Sequence, residues 1–225
     1  MKRIMVAALF AVVLVSILLM ASPMTGSAAG NPNPTVLPPN AHPFGLTYAQ
    51  WAAKWWKWQL ERSPDTNPNL DPTGCSNVQS GPVWFLAGAF GQPAVERTCT
   101  VPVGKALLFP VMNALVLASP GDTAQMVRDQ AKNAIDPLVD YGASVDGVTI
   151  KDLAAYRLYQ GSLNDLPIFS VTIPEPGFFG LLGIYAPCSD DGVYLMLAPL
   201  PPGEHNIHYY ANEFGVDVTY HLTVQ

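Results

Sequence analysis

Carboxylates are the residues of this sequence that could do acid–base chemistry. A glycosidase needs two carboxyl groups facing each other across a cleft, and the candidates here are Glu96, Asp190 and Glu204. Glu96 points away from the apolar side of a predicted strand, and Glu204 precedes the last predicted hairpin. Asp190 belongs to Asp190-Asp191-Gly192, for which a turn is the simpler interpretation. The catalytic residues therefore stay unassigned.

Two histidines and a carboxylate form a second group, on the last two predicted strands. If the connecting turn centres on Glu213-Phe214, then His208, Asp217 and His221 share the outward face of this hairpin. Such a set could bind a ligand, a water molecule or a shared metal ion. A register shift of one residue would scatter the side chains, and a solvated strand face is the alternative. We predict ligand binding here and no metal.

Tryptophans form the third group, in a helix predicted over 48–62. Trp51 and Trp58 lie two helical turns apart, and both border the polar stripe of this helix. That stripe consists of Gln50, Lys54, Lys57 and Glu61. The indoles of Trp51 and Trp58 could form a platform on which sugar rings stack. The alternative is that all four helix tryptophans pack against a sheet, and Trp55, in the middle of the apolar arc, is predicted to be core.

Local signals predict the helices that must position these groups. Thr47 and Gln50 have the spacing of a capping box, in which each side chain bonds the other residue's backbone N–H. Ser63-Pro64 ends the helix that they open. A second helix is predicted from Thr123 to about Ile135, with Asp122 as its cap.

Composition indicates a mainly β architecture. Only 12% of the residues are charged, whereas 22 are proline and 18 are glycine, which favours short strands joined by rigid turns. Asp146-Gly147 is the strongest hairpin signal. We predict a proline-rich linker at 30–46, followed by one domain at 47–225. That domain is a β-sandwich of two antiparallel sheets, with the tryptophan helix and the second helix packed outside.

The N-terminus predicts export. Lys2 and Arg3 precede an apolar run from Ile4 to Ala21, and Ser27-Ala28-Ala29 suits a signal-peptidase site. We therefore predict a signal peptide at 1–29 and a secreted or periplasmic protein without a transmembrane segment after cleavage. The apolar run is 18 residues long, close to the lower limit for spanning a bilayer, so an uncleaved anchor is the alternative.

The three cysteines agree with an oxidising compartment. Cys75 and Cys99 flank an apolar segment that is predicted to be a strand, and we predict a disulfide between them. Cys188 is interpreted as a small buried hydrophobe.

Charge and motifs exclude several classes of function. Lys2 and Arg3 are two of 11 basic residues, against 17 acidic ones, so nine basic residues remain after cleavage and none form a block. Nucleic-acid binding is therefore not expected. The sequence lacks a Gly-x-Ser-x-Gly elbow, a His-Glu-x-x-His motif, a phosphate loop and a dinucleotide fingerprint. We expect no cofactor, and a non-enzymatic role rather than catalysis.

Three segments resemble a family of uncharacterised exported bacterial proteins. They are SGPVWFLAG at 80–88, CTVPVGKALLFPV at 99–111, and PPGEHNIH at 201–208 with DVTYHLTV at 217–224. The resemblance implies secretion and a bacterial source, and it assigns no catalytic residue. The leading hypothesis is an exported, non-enzymatic protein that binds a carbohydrate or cell-envelope ligand. The alternative is an extracytoplasmic polysaccharide hydrolase that uses paired carboxylates.

Overall fold

The computed structural model describes residues 33, 35–68, 70, 75, 78–89 and 94–225. The predicted signal peptide at 1–29 lies outside the described residues. None of the helices formed by the described residues has the length and hydrophobicity of a transmembrane segment.

The described residues form two α-helices and nine strands. The helices are α1, Tyr48–Leu60, and α2, Ala124–Ile135. The strands in the first half are β1, Val83–Phe85; β2, Val95–Val101; β3, Ala106–Leu117; β4, Tyr141–Val145; and β5, Val148–Thr149. Those in the second half are β6, Ile168–Phe178; β7, Leu181–Leu197; β8, Gly203–Ala211; and β9, Val216–Val224.

The predicted two-sheet sandwich is confirmed. One sheet has four strands in the order β1-β3-β7-β6, and the other has five in the order β2-β9-β8-β4-β5. The sheets are mixed rather than antiparallel throughout as predicted, because β1 pairs with β3 and β2 pairs with β9 in parallel. The chain leaves β1, crosses to the other sheet as β2 and returns as β3 in the direction of β1. A parallel pair requires a long crossover of this kind.

The core lies between the two sheets. Phe109 of β3 stacks on Tyr209 of β8, with ring centroids 5.0 Å apart. The predicted register of the last hairpin is confirmed, since Tyr209 lies opposite Val218 and Ile207 opposite Tyr220. All five of these side chains are buried, because a two-residue period sends alternate side chains of each strand inward.

Helix α1 begins at the predicted capping box. Gln50 N–H donates to Thr47 Oγ1 at 3.2 Å, and Thr47 N–H donates to Gln50 Oε1 at 2.9 Å. Trp55 is core as predicted, with 2% of its surface exposed, and its Nε1 donates to the carbonyl of Leu86 at 2.9 Å. At the other end of α1, Glu61 Oε1 accepts from the backbone N–H of Thr172 in β6 at 3.2 Å.

Helix α2 has a different cap from the one expected. Thr123 caps it, accepting from Met126 N–H at 3.3 Å. Asp122 instead accepts from the backbone N–H of Ser119 at 2.8 Å. A hydroxyl and a carboxylate in adjacent positions can both cap a helix, and here the carboxylate stabilises the preceding turn.

Part of the segment predicted as a linker pairs with the domain. Leu37 N–H donates to the carbonyl of Met196 at 2.8 Å, and Ala198 N–H donates to that of Thr35 at 2.9 Å. Val36 between them is 1% exposed. The extended backbone that prolines favour is suited to this pairing, so residues 35–37 lengthen the sheet at the end of β7 rather than span a gap.

The disulfide between Cys75 and Cys99 is confirmed, with Cα atoms 5.4 Å apart. Cys188 is a free, buried cysteine in β7, and burial raises the pKa of its thiol. Its environment therefore fits the interpretation as a small core residue, since a reactive cysteine needs a lowered pKa.

Candidate functional site

A pocket of about 430 Å³ lies between α1 and β1, and we call it the α1–β1 pocket. On the side of α1 and its C-terminal end it is lined by Trp51, Lys54, Lys57, Trp58, Glu61 and Arg62. The opposite side is formed by Phe85 of β1 and by residues of the preceding segment, among them Ser80 and Pro82. The pocket therefore contains two of the tryptophans that sequence analysis selected.

The predicted tryptophan platform is nevertheless wrong. Trp51 is 7% and Trp58 5% exposed, so neither offers an open ring face to solvent. Phe85 covers both, with its ring centroid 6.1 Å from that of Trp51 and 5.4 Å from that of Trp58. A helical wheel places the two residues at the border of the apolar arc, but it contains no information about β1, which packs against that border. The remaining accessible parts of the rings line the pocket.

Hydrogen bonds fix the walls of the pocket. Trp51 Nε1 donates to the carbonyl of Pro43 at 2.9 Å. The Gln79 side chain hydrogen-bonds the backbone of Phe85 in β1 as a neighbouring strand would. Its Nε2 donates to the carbonyl of Phe85 at 2.7 Å, and its Oε1 accepts from Phe85 N–H at 2.9 Å. Deeper in the protein, the carbonyl of Ala87 accepts from the hydroxyls of Tyr209 at 2.8 Å and Tyr220 at 2.9 Å. Walls held in this way are ordered before a ligand arrives.

Cations surround the pocket. Lys54 Nζ lies 5.9 Å from the ring centroid of Trp51, and Arg62 Nε donates to the carbonyl of Trp58 at 2.7 Å. Lys57 Nζ is 3.6 Å from Glu61 Oε1. Burial lowers the pKa of Arg62, and the nearby Glu61 charge opposes this shift. From the sequence, Lys54 and Lys57 were interpreted only as part of the polar stripe of the helix, and Arg62 was not selected.

The outer face of the five-stranded sheet holds the other three predicted binding residues. His208, Asp217 and His221 do share this face, as predicted. His208 Nε2 is hydrogen-bonded to Asp217 Oδ1 at 2.9 Å, and His221 Nδ1 to Asn206 Oδ1 at 2.7 Å. His221 Nε2 also lies 3.9 Å from Glu96 Oε1. Each side chain thus has a partner within the face, and the described residues contain no cluster suited to a metal ion.

Tyr210 on the same face has a structural task. A Cβ on Gly142 of β4 would lie 2.5 Å from the Tyr210 ring, so the ring covers the glycine and occupies the space that a side chain would need. The ring centroid of His208 is 6.0 Å from that of Tyr210. The Tyr210 ring therefore packs across neighbouring strands and covers the outer face of the sheet, as the side chains of a cross-strand pair do.

The candidate carboxylates do not form a pair across a cleft. Asp190 is fully buried in β7 of the four-stranded sheet. Glu96 and Glu204 lie in β2 and β8 of the other sheet, where Glu96 is exposed and Glu204 accepts from Thr223 Oγ1 at 2.9 Å. Because the three are divided between the sheet interior and an outer face, they lack the arrangement that two-carboxylate hydrolysis requires.

Asp190 belongs to a buried hydrogen-bond chain. The hydroxyl of Tyr194 donates to Asp190 Oδ2 at 2.7 Å, and Asn113 Nδ2 donates to that hydroxyl at 2.8 Å. The other carboxyl oxygen, Oδ1, has no hydrogen-bond partner of ordinary geometry among the described residues. Burial raises the pKa of Asp190 well above its usual value, because a buried site disfavours the charged carboxylate.

The expected turn at Asp190-Asp191-Gly192 is also wrong, since these residues lie within β7. Asp191 is buried on the opposite side of the strand from Asp190 and forms an ion pair with Arg157, whose Nη2 is 2.6 Å from Asp191 Oδ2. Arg157 is in turn 2.8 Å from Asp136 Oδ1 at the end of α2. The pair places a carboxylate inside a strand where sequence rules expect a turn, and its role is to join β7 to α2.

Comparisons with known proteins give no family for this chain, since no family model and no curated protein matches it. The solved structure of PbICP-C in complex with falcipain-2 is similar at 14% identity over 64% of this chain and 100% of that one, with a TM-score of 0.25. The solution structure of Amebosin is similar at 12% identity over 59% and 96%, with a TM-score of 0.19. Scores this low carry no argument, and the resemblance to exported bacterial proteins stays a prediction.

Proposed function

We propose that this chain is an exported, non-enzymatic protein that binds a carbohydrate or cell-envelope ligand in the α1–β1 pocket. The observation that carries the proposal is the lining of this pocket by Trp51, Trp58 and Phe85, with charged side chains at its edge. Its volume of about 430 Å³ lies within the roughly 300–1,000 Å³ of small-ligand sites.

The lining suits the two kinds of surface that a sugar presents. The C–H faces of a sugar ring pack against aromatic side chains, which bury a large apolar area. The hydroxyl groups need hydrogen-bond partners, which Ser80, Lys57 and Glu61 supply at the edge of the pocket. The indoles act here as walls of a pocket, so the ligand enters between α1 and β1 instead of lying on a flat platform.

Two features of the chain support export, the N-terminal sequence and the disulfide. The N-terminal sequence has the three parts of a secretory signal, and the disulfide between Cys75 and Cys99 is of a kind that persists in oxidising compartments. The hydrolase alternative is not favoured, because Glu61 is the carboxylate that lines the pocket among the described residues, and hydrolysis needs two.

A pocket-filling variant tests the proposal. Purified protein is incubated with insoluble cell-wall and plant polysaccharides and with soluble oligosaccharides, and binding is measured by retention and by calorimetry. Ser80 is exposed at the edge of the pocket, so we expect Ser80→Trp to abolish the binding that wild type shows. Thr98→Trp on the exposed side of β2 is the matched control and should bind as wild type. The proposal fails if no saccharide binds, or if Ser80→Trp binds as well as Thr98→Trp.

A further inference from the structure

We infer that the ligand of the α1–β1 pocket is an acidic saccharide, whose sugar ring packs against the aromatic walls while its carboxylate lies against Lys54 and Arg62. This inference rests on the proposed function and adds to it the charge of the ligand. Three further observations support it.

The first is where the protein places its positive charge. Nine basic residues follow position 29 in a chain with 17 acidic residues. Lys54, Lys57 and Arg62 line this pocket, and Lys105 donates to the carbonyl of Gly81, which also lines it. Almost half of the basic side chains of an acidic domain therefore meet at one place. A cleft in which one sign of charge predominates attracts ligands of the opposite sign.

The second is that these charges are poorly compensated. Among the described residues, Glu61 is the carboxylate in the lining, and it is shared between Lys57 and the backbone N–H of Thr172. Neither Lys54 nor Arg62 forms an ion pair within the described part of the chain. By contrast, Arg157 has two carboxylate partners at the other helix.

The third is the geometry of the cations. Arg62 uses its Nε on the carbonyl of Trp58, and its two terminal nitrogens make no hydrogen bond to a described residue. A guanidinium binds a planar carboxylate through two parallel hydrogen bonds. Lys54 and Lys57 are three residues apart on α1, and like charges at this spacing repel each other. A bound anion relieves that repulsion, whereas a neutral sugar does not.

A matched pair of ligands separates the charge from the sugar. Binding of trigalacturonic acid and of its fully methyl-esterified form is measured by calorimetry at low and at raised ionic strength. We expect the acid to bind about tenfold or more tightly than the ester, because a hydrogen bond between charged groups is worth roughly 1.5–3 kcal/mol and each 1.4 kcal/mol is a factor of ten. Raised salt should weaken binding of the acid and leave that of the ester nearly unchanged.

Two charge-reversed variants locate the contact. Lys54→Glu should weaken binding of the acid by about tenfold or more, and Lys151→Glu, which makes the same charge change at an exposed lysine elsewhere, should have no effect. Equal binding of acid and ester overturns the inference and leaves the proposed function standing. Binding of neither overturns the inference, and it overturns the proposed function as well if the saccharides of the wider panel also fail to bind. Binding of inorganic phosphate as tight as that of the acid, or equal effects of the two variants, overturns the inference as well.

Discussion

The outer face of the five-stranded sheet and the α1–β1 pocket both carry residues that the sequence predicts to bind a ligand. The polar groups of the outer face have partners within the protein, whereas two cations of the pocket lack an ion-pair partner among the described residues. On the outer face, His208 bonds Asp217 and His221 bonds Asn206. In the pocket, Lys54 and Arg62 lack an ion-pair partner among the described residues. A residue type suited to binding is therefore not enough to mark a site. What distinguishes the pocket is that two of its cations, Lys54 and Arg62, have no carboxylate partner among the described residues.

The aromatic residues of the two regions differ in the same way. Tyr210 covers Gly142 and so completes the surface of the sheet. Trp51 and Trp58 each contact Phe85, and the three rings still leave a volume of about 430 Å³ beside them. An aromatic ring that fills the space above a glycine satisfies the packing of its own sheet, whereas rings that enclose a space create a site.

Truncating a pocket wall should have the largest effect on stability. Trp58→Ala should lower the free energy of unfolding by about 3–5 kcal/mol, the usual cost of removing a large aromatic side chain from a core, because Trp58 is 5% exposed and contacts Phe85. Urea denaturation provides the measurement, and Trp55→Ala, at a residue 2% exposed, is the reference for a core loss. Stability close to wild type for Trp58→Ala would mean that the indole is a solvent-facing platform after all.

Asp190 differs from the carboxylates of the outer face because it is fully buried. Burial raises the pKa of Asp190 in the folded protein, whereas the unfolded chain releases this proton near pH 4. The folded state therefore holds more protons than the unfolded state above that pH, and this group makes stability fall as pH rises, up to the folded pKa.

Asp190→Asn should remove this dependence, since an amide keeps the acceptor for the Tyr194 hydroxyl and does not titrate. The variant should gain stability over wild type by about 1.4 kcal/mol per pH unit in the window from about pH 4 to the folded pKa. Melting temperatures of both proteins between pH 4 and 8 provide the measurement. A constant difference between the two across that range would show that Asp190 is ionised in the fold.

Local signals predicted the parts of this fold that local chemistry decides. The capping box of Thr47 and Gln50 and the register of Tyr209 against Val218 could both be read from the chain, because a cap depends on a few adjacent residues and a short hairpin turn sets its own register. The parallel pairing of β2 with β9 joins segments more than a hundred residues apart. No residue close to either strand in the sequence indicates this pairing.

The site was predicted only in part, for the same reason. The sequence places Trp51 and Trp58 correctly beside the polar stripe of α1. Phe85, which covers both, comes from a different element and could not be predicted from the helix alone. Asp190 and Asp191 looked like a turn because two adjacent carboxylates are expected in water. Asp190 is buried against Tyr194, and Asp191, on the opposite side of β7, is buried against Arg157. Both contacts form only when β7 is enclosed by the rest of the fold.

The most direct test of the account is to observe both regions while an acidic saccharide is added. Trigalacturonic acid is titrated into isotope-labelled protein, and nuclear magnetic resonance follows the indole N–H signals of Trp51 and Trp58 together with the imidazole signals of His208 and His221. We predict that the signals of the two pocket indoles shift progressively and saturate while those of the two histidines stay in place. Shifts confined to the histidines, or no saturable shift in either region, would contradict it.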